Sequence, residues 1–437
     1  KGWSQREVLE RLRLQPVEPL GTHYAYTNAG LTAAALGVAE PPAAERTAED
    51  RAKRLQYLAV KMIAARRRGD VASALGAADR LTAALSVPRV PSIAIARGSI
   101  PFTFAQISIT RLLAGESLAA LRAAMAARHL AEHSPTSPVI RLALALTAVA
   151  HAVRGSLAEA ELALAEGLDL PMGARWFAGS TRAAERVAAE LVGVERADPE
   201  SLQTLRGGDW KAQAGEFWPL AMLARARAAI VRGVAADALE IVCAAVDGAP
   251  GQGLAADVSM SQCIEAHLAL QDVTGARAIA EQLRAPGLLT AVALAKLRLV
   301  GGDPARALAE LRRLSAARTL PPAQREEIQL LGVWIRADLG GGLDVADASA
   351  IARLVEGTAR RRLLAVTLPV HVRDAIEVHL RDDELAASRA EVVVVAFDSS
   401  AHVAVPLQEG RTLPPHTFTA SGSTSMGAAI NKALDLP

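Results

Sequence analysis

The sequence predicts a mainly α-helical protein, an α-solenoid of repeated helical hairpins with a small partial α/β segment at its C-terminus. Three observations lead to this fold class. The 437 residues are 51% hydrophobic but only 3% aromatic, which favours packing of small side chains between helices. A complete helix–turn–helix pattern occupies residues 288–314, and turns of similar composition recur along the chain. A β-branched run follows near the C-terminus, at residues 391–397.

The stretch from Leu288 to Leu314 contains every signal of a helical hairpin. Between its halves, Gly301 and Gly302 suit the left-handed conformation that ends a helix, Asp303 is a good N-cap, and Pro304 fits a first helical turn. Apolar residues with helical spacing predict the buried faces of the two helices: Leu289, Val292, Ala293, Leu297 and Val300, then Ala307, Leu308, Leu311 and Leu314.

Similar turns recur at irregular intervals, close to the length of a tetratricopeptide-like unit. They lie at Arg68-Gly69-Asp70, Ala114-Gly115-Glu116, Arg154-Gly155-Ser156, Arg232-Gly233, Leu270-Gln271-Asp272 and Leu339-Gly340. We therefore predict a degenerate TPR-like array over residues 46–365, with different segments at residues 1–45 and 366–437. Stacked hairpins leave a concave face, which we expect to bind a protein or a small effector.

The charge and the cysteine content argue against a nucleic-acid-binding protein and a disulfide-stabilised protein. The net charge of +2 gives no electrostatic signature for nucleic acid, so we expect no direct nucleic-acid binding, and basic residues 66–68 and 360–362 are interpreted as solvated helix ends. Cys243 and Cys263 lie in apolar helical patterns and are predicted to be buried, reduced thiols. With no signal peptide and no membrane span recognised, we expect a cytoplasmic protein with no membrane partner.

The array resembles the helical region of MalT-like LuxR-family transcriptional regulators. The similarity is carried by Ala295–Leu308 (AKLRLVGGDPARAL), Leu320–Gln324 (LPPAQ) and Trp334–Gly340 (WIRADLG). The resemblance implies a non-enzymatic sensor or protein-interaction module without a cofactor. The family's ATPase and DNA-binding parts are not recognised, because there is no Gly-x-x-x-x-Gly-Lys-Ser/Thr loop and no recognition helix after Val355.

Residues 21–28 (GTHYAYTN) resemble the second active-site motif of the serine beta-lactamase and penicillin-binding superfamily. This resemblance implies that Tyr26 helps to activate a nucleophilic serine and that Asn28 orients the substrate or a partner lysine. Such chemistry needs a nucleophile and a neighbouring positive charge, but the sequence has neither Ser-x-x-Lys nor Lys-Thr-Gly. A serine hydrolase is therefore the alternative function, and packing of Tyr24 and Tyr26 against the first helices of the array is the expected role.

The C-terminal segment resembles a TerY-like von Willebrand factor A domain. A predicted strand at Glu391–Phe397 and its hairpin partner at His402–Leu407 precede the loop Gly422-Ser423-Thr424. The resemblance implies that Thr424 is a magnesium ligand, although the family's Asp-x-Ser-x-Ser loop is not found here, so the site is incomplete. Metal-dependent binding thus remains a second alternative, and an anion at the helix start after Gly422 a third. The three resemblances together suggest a mosaic chain.

Two further patterns, one of histidines and one of tryptophans, each have a functional and a structural interpretation. His129 and His133 have the spacing of an inverted zinc-protease motif, but no third ligand is recognisable, and helix capping is the preferred interpretation. Trp210, Trp218 and Trp334 are candidates for an effector groove, with burial between helices preferred.

Overall fold

The described part of the computed structural model is mainly helical, as predicted. It comprises residues 48–86, 94–132, 139–172, 175–205, 209–246, 252–283, 286–316, 320–339, 369, 371–372, 391–397 and 401–409.

In chain order, the α-helices of these ranges are α1 (Ala48–Arg67), α2 (Val71–Leu85), α3 (Ala94–Leu113), α4 (Ser117–Glu132), α5 (Ile140–Arg154), α6 (Leu157–Leu168), α7 (Arg175–Glu195), α8 (Pro199–Thr204), α9 (Trp210–Ala214), α10 (Trp218–Val231), α11 (Ala235–Val246), α12 (Gly253–Ala269), α13 (Val273–Glu281), α14 (Leu288–Val300), α15 (Pro304–Ser315) and α16 (Pro322–Asp338). A 3₁₀ turn, Gly215–Phe217, joins α9 to α10. No helix among the described residues is long and apolar enough to cross a membrane.

Seven described turns join two helices in the same way. Each contains one residue with positive φ, and these residues are Gly69, Gly115, Gly155, Ala197, Gly233, Gln271 and Gly302. In every one of these turns, the N–H of the left-handed residue donates to the carbonyl oxygen three residues earlier. The N–H of the next residue donates to the carbonyl oxygen five residues before it. These are the hydrogen bonds of a Schellman motif. The same backbone conformation therefore ends the first helix in each of these seven hairpins.

An aspartate follows the left-handed residue in four of the seven turns and caps the second helix. For example, the Asp303 carboxylate accepts the N–H of Arg306 at 3.1 Å, and the Asp272 carboxylate accepts that of Gly275 at 2.8 Å. The other two are Asp70 and Asp198. The acidic side chain satisfies an N–H that the helix start leaves without a partner.

The described residues belong to two compact units, which are treated separately. The first contains residues up to 150, with 163–185 and 248–255, and the second contains residues 151–162, 186–247 and those from 256 onward. In the first unit, α1 and α2 bury Leu58, Met62 and Leu81 together with Ile107 of α3. In the second, α14, α15 and α16 bury a cluster that includes Leu311.

The hairpin at residues 288–314 is confirmed in most details. Helices α14 and α15 flank the turn, Asp303 is the N-cap and Pro304 is the first residue of α15. Only Gly302 is left-handed, with φ of 86°, whereas Gly301 has φ of −76°. The prediction that Val300 is buried was wrong: it is 42% exposed, because it lies at the edge of a cavity described below.

Two strands are described near the C-terminus. Strand β1 (Glu391–Phe397) has the predicted bounds and pairs antiparallel with β2 (Ala401–Glu409), which is longer than expected. The register joins Glu391 to Glu409 and Phe397 to Ala401, with irregularities between Val392 and Val395.

Candidate functional site

The site residues taken from family resemblance, Tyr26, Asn28 and Thr424, lie outside the described residues. Their roles stay predictions. The geometry of a candidate site comes instead from the second unit of the described chain, where a cavity of about 330 Å³ lies among the helices of the array.

This cavity is lined mainly by the first helices of successive hairpins. Helix α10 contributes Ile230 and Val231, α12 contributes Leu268, α14 contributes Leu289, and α16 contributes Trp334. Within each helix the lining residues are adjacent or recur at spacings of three, four or seven, so each helix presents one face to the cavity. The Schellman turns fix where each helix ends and thereby align these faces.

The polar lining residues share one position in this alignment. Arg227, Glu265 and Lys296 are each the sixth residue before the left-handed residue of their turn, which we call the register position. All three line the cavity. Trp334 occupies the same place relative to the end of α16, since each of the four residues precedes the last residue of its helix by four. The cavity therefore has a basic, an acidic, a basic and an aromatic side chain at matching places on the alternate helices α10, α12, α14 and α16.

The charged side chains of the cavity are paired across helices. Lys296 of α14 forms an ion pair with Glu265 of α12. Arg227 of α10 forms an ion pair with Glu195, and its Nη2 lies 3.9 Å from Glu327 Oε2 of α16. Lys296 and Glu265 are 21% and 17% exposed, so both remain reachable from the cavity.

Two further polar side chains, Ser261 and Gln262, lie in the α12 wall and are almost fully buried. The Ser261 hydroxyl donates to the carbonyl oxygen of Val258 at 3.0 Å. Gln262 is 3% exposed, and its Oε1 has no hydrogen-bond partner among the described residues. A buried amide oxygen without a donor costs free energy, which a ligand N–H can relieve.

A second charged pair of α10 lies away from the cavity lining. Arg225 Nη2 donates to Glu190 Oε1 at 3.0 Å, its Nη1 donates to the Leu205 carbonyl oxygen, and its guanidinium lies 5.7 Å from the Trp210 ring centre. Burial raises the pKa of Glu190 above its usual value, and the charge of Arg225 opposes this rise. This pair belongs to the packing between α7 and α10.

The three tryptophans considered for an effector groove are all half-buried, but they have different surroundings. Trp334 lines the cavity. The Trp210 ring instead faces the guanidinium group of Arg225. The ammonium nitrogen of Lys211 lies 5.2 Å from the centre of the Trp218 ring.

Several sequence expectations outside the cavity need correction. Cys243 is exposed, since it lies on the outer face of α11, while Cys263 is half-buried, and burial raises the pKa of its thiol to about 11. Arg66 is not a solvated helix end: its guanidinium donates to the Gln106 carbonyl oxygen at 3.1 Å and to Thr110 Oγ1 at 3.0 Å.

The histidine motif lies only partly within the described residues. His129 is exposed near the end of α4, and His133 lies outside the described residues. No group of three or more potential metal ligands was found in the part of the chain that the structure describes.

Comparisons with models of protein families, with curated proteins and with solved structures gave no match for this chain.

Proposed function

We propose that the chain is a non-enzymatic helical-repeat module, a TPR-like α-solenoid of the kind found in LuxR-type regulators. It takes a partner or small effector on its concave face, at the cavity lined by α10, α12, α14 and α16. The observation that carries this proposal is the alignment of Arg227, Glu265, Lys296 and Trp334 on four alternate helices, α10, α12, α14 and α16, around one cavity.

The size and lining of the cavity support a binding role. Its volume of about 330 Å³ is near the lower end of the roughly 300–1,000 Å³ typical of small-molecule sites. Most side chains of its wall are apolar, with a few charged groups between them, which is the usual composition of a ligand pocket. The proposal also includes the cytoplasmic location expected from the sequence.

The polar groups of the lining favour binding over catalysis. The Ser261 hydroxyl is engaged with the backbone carbonyl of Val258, whereas a nucleophilic serine needs an adjacent base. Lys296 and Glu265 are engaged with each other in an ion pair, whereas covalent catalysis needs a nucleophile activated by an adjacent base.

The test uses the neutral dye N-phenyl-1-naphthylamine, whose fluorescence increases in an apolar environment. Ala269 lines the cavity mouth and is exposed, so Ala269→Trp fills the mouth without disturbing buried packing. Its matched control is Ala244→Trp, an exposed alanine of α11 outside the lining.

We expect the dye to bind the full chain and the Ala244→Trp control equally, and to bind the Ala269→Trp variant about tenfold more weakly. Equal dye binding by all three proteins would show that the cavity is not a binding site, and so contradict the proposal.

A further inference from the structure

We propose that the cavity binds a small zwitterion with an apolar body, namely a free α-amino acid with an apolar side chain. This inference rests on the proposed binding function and specifies its ligand class.

The first argument is charge balance in the lining. The cavity is lined by two basic side chains, Arg227 and Lys296, and by two acidic ones, Glu265 and Glu327. A ligand with a net charge brings an uncompensated charge into an enclosure with mostly apolar walls, which is costly. A ligand without net charge avoids this cost.

The second argument is the arrangement of the charges. Lys296 and Glu265 form one ion pair, with both side chains partly exposed at the register position of adjacent first helices. An α-amino acid carries its ammonium and carboxylate groups on one carbon, so it presents opposite charges at a comparable separation. The carboxylate then pairs with Lys296 and the ammonium with Glu265, each through charge-assisted hydrogen bonds.

Gln262 gives an additional acceptor near the expected position of the ammonium group. It lies one helical turn before Glu265, lines the cavity, and has an amide oxygen with no hydrogen-bond partner among the described residues. An ammonium group has three N–H donors, so it can satisfy the Glu265 carboxylate and, once the Gln262 amide rotates toward the cavity, this oxygen as well.

The third argument is the apolar wall beside the ion pair. Ile230, Leu268, Leu289, Val300 and the ring of Trp334 line the remaining space. These side chains fit an aliphatic or aromatic substituent, whose removal from water supplies the favourable free energy that the charged groups alone do not. The modest volume of the cavity favours a single amino acid over a peptide.

The test is isothermal titration calorimetry of the full chain with L-leucine, L-valine, L-methionine and L-phenylalanine. For the tightest of the four, the amide keeps only the positive charge and the N-acetyl derivative only the negative charge. We expect each derivative to bind about tenfold or more weakly than the free amino acid, the loss of one hydrogen-bonded charge.

Variants assign the two ends of the ligand. With Lys296→Met, the free amino acid is expected to lose its advantage over the amide. With Glu265→Gln, it loses its advantage over the N-acetyl derivative. Glu161→Gln is the control, because Glu161 pairs with Arg196 outside the cavity and its replacement leaves all affinities unchanged.

The two proposals fail differently. If none of the four amino acids binds at millimolar concentration while the dye still binds and is blocked by Ala269→Trp, the zwitterion proposal is overturned and the binding function stands. Equal affinities for the free amino acid and both derivatives also overturn the zwitterion proposal. If the dye binds the Ala269→Trp variant as well as it binds the full chain, the proposed function itself fails.

Discussion

The first four and the last three complete hairpins share one turn but differ at one position. At the register position, the early hairpins carry buried apolar side chains, whereas the later ones carry charges that line a cavity. The early residues are Ile63, Ile109, Val149 and Leu191, and the later ones are Arg227, Glu265 and Lys296.

This difference shows that the residues of the turn specify the backbone repeat, whereas the side chain at the register position specifies the site. The Schellman turn recurs in both groups of hairpins, so it fixes the register without determining the use of the position. An apolar side chain at this position joins the core, and a charged side chain must keep a partner and some contact with solvent. The cavity lies among the hairpins whose register position carries a charged side chain.

The largest expected effect comes from placing a charge at an early register position. Ile109 is 1% exposed, so Ile109→Lys buries an ammonium group without a partner and is expected to lower the free energy of unfolding by about 4 kcal/mol. Met125→Lys is the control, since Met125 is 54% exposed and its replacement should cost less than about 0.5 kcal/mol. Urea unfolding followed by circular dichroism measures both, and similar costs for the two would contradict the comparison.

A somewhat smaller loss is expected when Arg225, a charge packed in the core, is removed. Arg225→Met leaves the buried Glu190 carboxylate without its cation and is expected to cost about 3 kcal/mol near neutral pH. Replacing both partners, with Arg225→Met and Glu190→Gln, should recover a large part of this loss.

The same variant has a defined pH dependence. The pKa of Glu190 in the folded state is already above its unfolded value, so the folded state binds more protons in the window between the two. Stability from this group is therefore present below the unfolded pKa and lost as pH rises through the folded pKa. Arg225→Met raises the folded pKa further, so its cost should grow with pH between the folded pKa of the natural protein and the higher folded pKa of the variant. A cost independent of pH across this second interval would refute this explanation.

Removing the cavity ion pair should change stability little. Lys296→Met combined with Glu265→Gln eliminates both partly exposed charges together and is expected to alter the free energy of unfolding by less than about 1 kcal/mol. Thermal or urea unfolding gives the value. A loss as large as that of Ile109→Lys would mean that this pair belongs to the core rather than to a site.

The turns should carry similar backbone strain in both groups of hairpins. Ala197 and Gln271 have φ of 52° and 60°, so glycine relieves similar backbone strain at both positions. Gln271 is exposed, and Gln271→Gly should stabilise the protein by about 0.5–1 kcal/mol. Ala197→Gly also removes a buried methyl group and should therefore change stability little. Gly302→Ala should destabilise it by about 1 kcal/mol through backbone strain alone, because a Cβ there meets no atom within 4 Å. A loss of stability in Gln271→Gly would show that its turn does not carry this strain.

The sequence predicts the repeated hairpin well because glycine and aspartate have strong local preferences at its turn. The turn at Ala197 was missed, since alanine stands where the other turns mostly have glycine. A signal was nevertheless present, because Asp198-Pro199 repeats the Asp303-Pro304 pair of the recognised hairpin.

The candidate site was not predictable from any single motif. Arg227, Glu265 and Lys296 lie far apart in the sequence, and each resembles an ordinary solvated charge on its own helix. Their common position emerges only when the hairpins are aligned on the left-handed turn residues. Of the lining residues, only Trp334 was considered for a groove, and helical periodicity alone does not tell which face of a first helix borders a cavity.

The most direct test is the rate at which a single cysteine at each register position reacts with 5,5′-dithiobis(2-nitrobenzoic acid). The seven substitutions are made singly in a Cys243→Ala, Cys263→Ala background, which removes both natural thiols. We predict that cysteines in the first four hairpins react only as the protein unfolds, whereas those replacing Arg227, Glu265 and Lys296 react rapidly in the folded state. Similar rates in the two groups would contradict the conclusion that one position forms the core in the early hairpins and the cavity in the later ones.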